Sequence, residues 1–142
     1  MTPNQPLRPR AAALIFNDQH QIVLMLRRKN GNHYATLPGG GIDEGETPAV
    51  ACAREVLEEV NLTVKVGQQV LETDNLQSHE HYFVCEVIGG EMRLGDGPEA
   101  IRQSEDNHYE PQWVDISRLA EVNLVPEVLR ELVKKVGASV GK

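Results

Sequence analysis

Three glutamates near the end of one predicted helix are the residues whose types and spacing most directly suggest chemistry. Glu55, Glu58 and Glu59 stand three and four positions apart, so at about 100° per residue they lie within an arc of roughly 100°. Their charges repel one another and oppose the helix dipole, which costs roughly 0.3–1 kcal/mol each. A hard divalent cation such as Mg²⁺ would turn that repulsion into attraction. The pattern predicts a site for magnesium, manganese or calcium, although for an arbitrary glutamate-rich helix plain solvent exposure is the commoner explanation.

The helix that carries these glutamates is predicted to begin at Thr47 and Pro48. Threonine can cap the first free amides, and proline fits the first helical turn. Apolar residues recur at helical spacing and predict one buried stripe on the side opposite the glutamates. The residues of this predicted stripe are Ala49, Ala53, Val56, Leu57 and Val60.

Strand-like segments surround this helix, and a second helix follows them. The predicted strands cover residues 10–17, 21–28, 62–66, 69–73, 81–88, 91–94 and 112–114. A turn is expected at 29–33, a bulge or turn at Gly67, and a loop at 95–107. A helical turn at 116–120 precedes a helix at 126–136 with Gly137 just after it, and the apolar stripe of that helix is Val128, Leu129, Leu132, Val133 and Val136. This order predicts an α/β domain with a mixed sheet between helices.

Composition and charge limit the class of protein. The chain has 142 residues, of which 40% are hydrophobic and 25% charged, so we expect one domain over residues 10–142 after a flexible tail over residues 1–9. No apolar run approaches the length that crosses a bilayer. The formal net charge of −7 argues against binding long nucleic acid. Cys52 and Cys85 are too few for a disulfide framework, and we expect buried thiols in a reducing cytoplasm.

The segment from Gly40 to Leu62 reads GGIDEGETPAVACAREVLEEVNL. It closely resembles the Nudix box, usually written G-x5-E-x7-R-E-U-x-E-E-x-G-U, in which U is a bulky aliphatic residue. Eight of the nine specified positions match, and the last glycine is replaced by Asn61. That glycine is expected to end the helix in a left-handed conformation, which asparagine is the next residue able to adopt.

This resemblance implies a MutT-like hydrolase built as a Nudix-type α/β/α sandwich with a mixed β-sheet between helices. The metal ligands that it implies are Glu55, Glu58, Glu59 and a backbone carbonyl of Gly39 or Gly40. It also implies that Glu46 supports the site and that Arg54 orients a metal-binding glutamate, as its i+4 relation to Glu58 allows. The expected cofactor is Mg²⁺, with Mn²⁺ as a substitute. The expected reaction is hydrolysis of a phosphoanhydride bond in a nucleoside diphosphate linked to another group, such as a nucleoside triphosphate or a nucleotide sugar.

Residues outside the box are candidates for substrate contacts and for the general base. Arg27 and Arg28 end a strand, and alternation allows only one of them to grip a phosphate. His79, His81 and Tyr82 could contact a base or ribose, with packing or solvent exposure an equally good explanation. The candidates for the general base are Glu58, Glu59 and the acids Glu99, Glu105, Asp106 and Glu110, for each of which a plain surface charge is the simpler explanation.

Two other functions stay open from the sequence. One is a catalytically silent nucleotide-binding or regulatory module on the same fold, and the other is a structural acidic helix. Retention of all three glutamates favours catalysis. We expect a small nucleotide-type substrate, with oxidised nucleoside triphosphates, ADP-sugars, dinucleoside polyphosphates and coenzyme-type dinucleotides as candidates. Homodimers are common among members of the family that the box resembles, but the residues of this chain do not decide its oligomeric state.

Overall fold

The computed structural model describes residues 6–94 and 107–140. Within these residues the chain forms seven strands, two α-helices and one 3₁₀ helix. The strands are Arg8–Ile15 (β1), Gln21–Lys29 (β2), Asn32–Thr36 (β3), Gly39–Gly41 (β4), Leu62–Asn75 (β5), Ser78–Gly90 (β6) and Asn107–Asp115 (β7). The α-helices are Pro48–Val60 (α1) and Val128–Val140 (α2), and the 3₁₀ helix is Ile116–Arg118.

The strands form two sheets that lie between the helices. The first sheet has the order β4-β1-β6-β5, with β1 and β6 parallel and the other pairs antiparallel. The second has the order β3-β2-β7 and is antiparallel. Successive residues of β1 belong to two different hydrophobic cores: Ala13 packs with α1 on one side of the sheet, and Leu14 packs with α2 on the other. This arrangement confirms the predicted α/β/α sandwich with a mixed sheet.

Helix α1 begins and ends as its local sequence predicts. The Oγ1 atom of Thr47 accepts a hydrogen bond from the amide of Val50 at 3.2 Å, and Pro48 occupies the first turn. Asn61 adopts the left-handed conformation, with φ 61° and ψ 31°, and its amide donates to the carbonyl of Leu57. Asparagine therefore ends the helix in the conformation expected of the glycine that it replaces.

The buried side of α1 differs from the predicted stripe. Leu57 is 49% exposed, whereas Glu59 is 2% exposed and packs with Cys52, Val56 and Val60 on the buried side. The predicted stripe was therefore wrong at Leu57, and the prediction that the glutamates lie opposite the stripe was wrong for Glu59. Docking against the glycine-rich strand β4 turns the helix so that its buried arc includes Glu59.

Several strand predictions need correction. Residues 91–94 form no strand, and the segment predicted as a turn at 29–33 already contains the start of β3. Strand β7 begins at Asn107 rather than at residue 112, so residue 107 belongs to a strand and not to the predicted loop. The rest of that loop, residues 95–106, lies outside the described residues. The first half of β7 mixes polar residues with Pro111 and is ordered by pairing with β2 at the edge of the sheet, which local periodicity does not reveal. The two strands predicted at 62–66 and 69–73 are one strand, β5, with a register shift after Val66, so of the two predicted possibilities Gly67 marks a bulge and not a turn.

Helix α2 begins later and ends later than predicted. It starts at Val128, which is exposed, and runs through Gly137 to Val140, so Gly137 does not end it. A Cβ atom at Gly137 would lie 2.8 Å from the side chain of Ile116 and 3.2 Å from that of Phe16. The glycine therefore allows the helix to pack closely against its neighbours.

The two cysteines are buried, as predicted. Cys52 on α1 and Cys85 on β6 are free thiols whose Sγ atoms lie 3.8 Å apart. Across residues 6–94 and 107–140, neither helix combines the length and the apolar character that a bilayer crossing requires.

Candidate active site

Arg54 contacts three glutamates of the box through one guanidinium group. Its Nε atom donates to Oε2 of Glu46 at 2.7 Å and its Nη2 atom donates to Oε1 of Glu46 at 2.8 Å, which makes a bidentate pair. Its Nη1 atom donates to Oε1 of Glu55 at 2.9 Å and to Oε2 of Glu58 at 3.1 Å. One arginine therefore fixes the positions of Glu55 and Glu58, including the i+4 contact that the sequence predicts.

Glu46 anchors the loop before α1 to the helix. Besides its pair with Arg54, its Oε1 atom accepts a hydrogen bond from the amide of Asp43 at 2.8 Å. The Nη2 atom of Arg54 also donates to the carbonyl of Gly41 at 3.0 Å. The hydrogen bonds from Arg54 and then from Asp43 lower the pKa of Glu46 from 4.5 to about 2, while Glu46 raises the pKa of Arg54. Glu46 therefore fixes the position of Arg54, which in turn orients Glu55 and Glu58.

Glu59 is a buried carboxylate at the edge of strand β4. The amide of Gly39 donates to its Oε2 atom at 3.4 Å, and its Oε1 atom lies 3.7 Å from Nη2 of Arg27. The side chain of Glu55 is 18% exposed and that of Glu58 is 45% exposed. The three acids therefore run from the protein interior to solvent, and the burial of Glu59 requires cationic neighbours.

Strand β4 meets the glutamates through residues without side chains. A Cβ atom at Gly40 would lie 2.2 Å from Oε2 of Glu55, and one at Gly39 would lie 2.3 Å from the carbonyl of Ala11. Only glycine allows the backbone of β4 to come this close to the carboxylate of Glu55 and to strand β1. The backbone of Gly39 and Gly40 is thus held beside the acids.

This donor set fits a hard divalent cation. Carboxylates and backbone carbonyls are the oxygen ligands that magnesium, manganese and calcium prefer. The acids are held by Arg54, Arg27 and Gly39 and are not gathered around one point. Among the residues described, the ligand atoms of the three glutamates do not form a group within 4.8 Å of one another. Arg54 would have to share Glu55 and Glu58 with a bound ion.

Of the two neighbouring arginines, Arg27 is the one that lies beside these acids. Its Nε atom donates to Oγ1 of Thr36 at 3.0 Å, and its guanidinium carbon lies 4.9 Å from the centre of the Tyr109 ring. Arg28 is exposed, and both arginines border a surface depression that His33 and His108 also line. Strand alternation turns Arg27 towards Glu59 and leaves Arg28 exposed, as the sequence predicts.

A cavity of about 220 Å³ adjoins the acids through Gly39, which lines it. Tyr82 and Glu80 also line it, and the hydroxyl of Tyr82 donates to Oε1 of Glu80. Ser78 donates to Oε2 of Glu80 at 2.8 Å, and Arg10 lies 3.8 Å from the same atom. Burial, followed by the bond to Glu80, raises the pKa of Tyr82. Sequence reasoning missed Glu80, because its neighbours His79 and His81 are polar and give no sign that it is buried.

The other two predicted substrate contacts, His79 and His81, are not among the residues that line this cavity. His79 and His81 contact Glu72 on β5, and His81 faces away from Tyr82 because neighbouring strand residues alternate. Of the three predicted base or ribose contacts, only Tyr82 lines the cavity.

The predicted loop acids have different outcomes. Glu110 lies within strand β7 and not in a loop. It contacts Gln112 and His108, and its neighbour Tyr109 is the residue that faces Arg27. The structure therefore does not bring Glu110 to the acids of α1. Glu99, Glu105 and Asp106 lie outside the described residues.

Comparison with known protein sequences gives consistent family names. The family model described as NUDIX domain matches residues 6–136. A Bacillus subtilis (strain 168) protein provisionally named an 8-oxo-dGTP diphosphatase is 34% identical over 126 residues, which cover 86% of this chain and 75% of that protein. An RNA pyrophosphohydrolase from Photobacterium profundum is 47% identical over 69% of this chain, and an ADP-ribose pyrophosphatase from Methanocaldococcus jannaschii is 33% identical over 63%. The chain spans only 52% and 58% of the length of these last two relatives.

Solved structures agree with this assignment. MutT from Methanosarcina mazei superposes with a TM-score of 0.67 at 21% identity, covering 99% of this chain and 100% of that chain, which supports the fold. A structure from work on MutT of Aliivibrio salmonicida and Vibrio cholerae has a TM-score of 0.65 at 26% identity, covering 95% and 99%. Nudix hydrolases generally use divalent metals. With its box on a capped helix and a family match over nearly its whole length, this chain belongs to the Nudix family of hydrolases that act on acid anhydrides.

Proposed function

We propose that this chain hydrolyses a phosphoanhydride bond in a small nucleoside triphosphate or nucleoside diphosphate derivative, with Mg²⁺ as the cofactor and Mn²⁺ as a substitute. The observation that carries the proposal is the buried carboxylate of Glu59, which is 2% exposed and lies at the glycine-lined edge of β4 beside Arg27. Burying a carboxylate at this depth is costly unless cations neutralise it. A catalytic role explains why the chain accepts that cost.

The side chains of the site would have three roles in the reaction: binding the metal, positioning its ligands and binding the phosphate. Glu55, Glu58 and Glu59 would hold the metal with a backbone carbonyl of Gly39 or Gly40, and Arg54 would keep Glu55 and Glu58 in position. A bound divalent ion supplies neutralisation of the diphosphate oxygens and a more acidic water molecule. Arg27, the guanidinium nearest Glu59, would donate to a phosphate oxygen of the substrate.

Glu58 is the better placed of the two box acids that could serve as general base. Its side chain is 45% exposed, whereas that of Glu59 is 2% exposed. A general base must reach the attacking water and then release the proton to solvent. Exposure allows both steps at Glu58, while Glu59 is better suited to hold the metal from inside the protein.

The cavity beside Gly39 is the proposed subsite for the nucleobase. Its volume of about 220 Å³ suits a flat heterocycle, and it joins apolar walls to the buried carboxylate of Glu80. A carboxylate accepts hydrogen bonds, so it favours a base edge that carries N–H donors, as the N1–H and 2-amino groups of guanine do. The Bacillus relative named for 8-oxo-dGTP is consistent with a guanine-type substrate.

A substrate panel tests this proposal. The chain of 142 residues would be incubated with Mg²⁺ and, separately, 8-oxo-dGTP, dGTP, dATP, ADP-ribose or a 5′-triphosphorylated oligoribonucleotide, with the products resolved by chromatography. We expect turnover of at least one small nucleotide into two phosphate-bearing fragments, fastest with a guanine base. A folded protein that binds nucleotides but cleaves none of them would instead identify a silent binding module.

The preference for the base needs its own variant. Glu80→Gln replaces one acceptor oxygen by a donor while keeping the shape of the side chain. It should lower kcat/KM for guanine nucleotides more than for adenine nucleotides. An equal loss of kcat/KM for both bases would show that the nucleobase does not bind in this cavity. It would leave the assignment of the metal site unchanged.

A further inference from the structure

Two histidines and two carboxylates face one another across the β5–β6 hairpin. In the antiparallel register His79 of β6 lies opposite Asp74 of β5, and His81 lies opposite Glu72. Residues two positions apart on a strand share a face. The sequence patterns His-x-His and Glu-x-Asp therefore place four polar side chains on one face of the hairpin.

The contacts within this group resemble a metal site with an outer carboxylate. The Nε2 atom of His79 lies 2.7 Å from Oε2 of Glu72, and Nδ1 of His81 lies 3.7 Å from Oε1 of the same carboxylate. On its other side, Nδ1 of His79 lies 2.6 Å from Oδ1 of Asp74. Histidines that bind metals usually donate their second ring N–H to a carboxylate, which fixes the tautomer and the ring orientation.

The group is compact and reachable from solvent. Among the described part of the chain, Glu72, His79 and His81 form the cluster of at least three metal-ligating side chains whose ligand atoms lie within 4.8 Å of one another. The side chains of His79 and Glu72 are 37% and 47% exposed, so an ion can enter. With neutral imidazoles, Glu72 and Asp74 give the patch two negative charges.

The ligand types select the metal. Imidazole nitrogen with carboxylate oxygen suits Zn²⁺, whereas Mg²⁺ prefers an all-oxygen shell. Without a metal, Asp74 and then Glu72 raise the pKa of His79, because a proton on its ring pairs with both carboxylates. The simpler alternative to a metal ion is a proton on His79 that pairs with both carboxylates, which we call the proton bridge. The experiment must distinguish this proton bridge from a bound metal ion.

We propose that Glu72, His79 and His81 bind a zinc ion on the β5–β6 hairpin, with a solvent-facing position left open and Asp74 orienting His79. The hydrogen bond that His81 Nδ1 makes with Oε1 of Gln69 at 2.9 Å gives way when the ion binds. Strand β1 separates this site from β4, since Ala11 pairs with His81 on one side and with Gly40 on the other. The zinc site therefore does not depend on the proposed hydrolytic function.

The test is a zinc titration of the chain of 142 residues after removal of metals by a chelator. Isothermal titration calorimetry would be run with excess Mg²⁺ present, so that sites built from oxygen ligands alone are already filled. We expect one saturable zinc ion per chain and a rise in Tm on binding. His79→Gln and Glu72→Gln should each weaken zinc binding at least about tenfold, and Asp74→Asn should weaken it about 10–100-fold because the outer carboxylate is lost.

Matched variants decide where the zinc binds. His33→Gln alters an exposed histidine outside the cluster and should leave the titration unchanged, as should Glu58→Gln at the box. His81 is 15% exposed, and replacing a residue this buried also perturbs folding. The test therefore uses Glu72→Gln and His79→Gln, which change the two exposed ligands. Absence of saturable zinc binding, or binding that survives both Glu72→Gln and His79→Gln, would overturn the proposal and leave the proton bridge as the explanation. Loss of the signal in Glu58→Gln instead would place the ion among the box glutamates.

Discussion

Gly40 and Glu55 lie so close together that a Cβ atom at Gly40 would be 2.2 Å from Oε2 of Glu55. The first glycine of the box and its fourth specified residue thus form one unit, in which bare backbone supports a carboxylate. This contact joins strand β4 to helix α1 at the proposed metal site. It explains why a side chain at position 40 would disturb the acids before it disturbed the rest of the fold.

Gly40→Ala is expected to displace the Glu55 carboxylate and to lower Mg²⁺-dependent kcat at least about tenfold, because the overpacked methyl group costs about 1–3 kcal/mol at this contact. The matched control is Gly41→Ala, since no atom lies within 4 Å of a Cβ at Gly41. Steady-state kinetics with magnesium titration would compare the two variants. Equal activities would show that the Gly40 contact does not matter to the site.

Arg54→Lys tests the positioning role of the arginine. Lysine keeps the charge but cannot make the bidentate pair with Glu46 while also reaching Glu55 and Glu58. We expect kcat to fall by about 10–100-fold, with a higher magnesium requirement, as when outer partners of metal ligands are removed. Arg118→Lys, at an exposed ion pair with Glu121, is the control. Wild-type magnesium dependence in Arg54→Lys would rule out this role.

Glu46 should make stability depend on pH in the acid range. Its pKa is lowered from 4.5 to about 2 in the folded protein, so its contribution is present above about pH 4.5 and is lost as the pH falls towards 2. Glu46→Gln should therefore have a flatter Tm profile than the wild type between these values. Thermal unfolding followed by circular dichroism would measure it. Parallel profiles would mean that Glu46 and Arg54 do not form this pair in solution.

Arg27→Gln should weaken substrate binding more than it slows the chemical step. A charge-assisted hydrogen bond contributes about 1.5–3 kcal/mol, so we expect kcat/KM to fall about 10–100-fold, mainly through KM. Arg28→Gln, the exposed neighbour, should change kcat/KM about twofold or less. A larger effect at Arg28 than at Arg27 would reverse the assignment of the two arginines.

The parts of the fold that the sequence predicts best are those with local signals. Thr47, Pro48 and Asn61 mark both ends of α1 within a short segment, and each adopts the predicted conformation or contact. Strand alternation likewise separates Arg27 from Arg28. In these cases, the residue type and its immediate neighbours determine the geometry.

Features that depend on distant contacts could not be predicted in this way. Strand β7 is ordered by pairing with β2, so its polar residues His108 and Glu110 gave no strand signal. The depth of Glu59 depends on which side of α1 docks against β4, which helical periodicity placed wrongly. The pairing of Arg54 with Glu46 requires the loop before α1 to fold back onto the helix. Spacing alone indicated only the contact with Glu58.

The role of Glu59 in holding the metal is tested most directly by magnesium-dependent turnover of Glu59→Gln, measured on the nucleotide that the wild-type chain cleaves fastest. Glu131→Gln, an exposed acid on α2, serves as the matched control for the loss of one charge. We expect a folded Glu59→Gln protein whose kcat is at least about a hundredfold lower at saturating Mg²⁺, since the metal contributes several kcal/mol to the reaction, while the control keeps full activity. Turnover by Glu59→Gln at the wild-type rate and with the wild-type magnesium requirement would contradict this role.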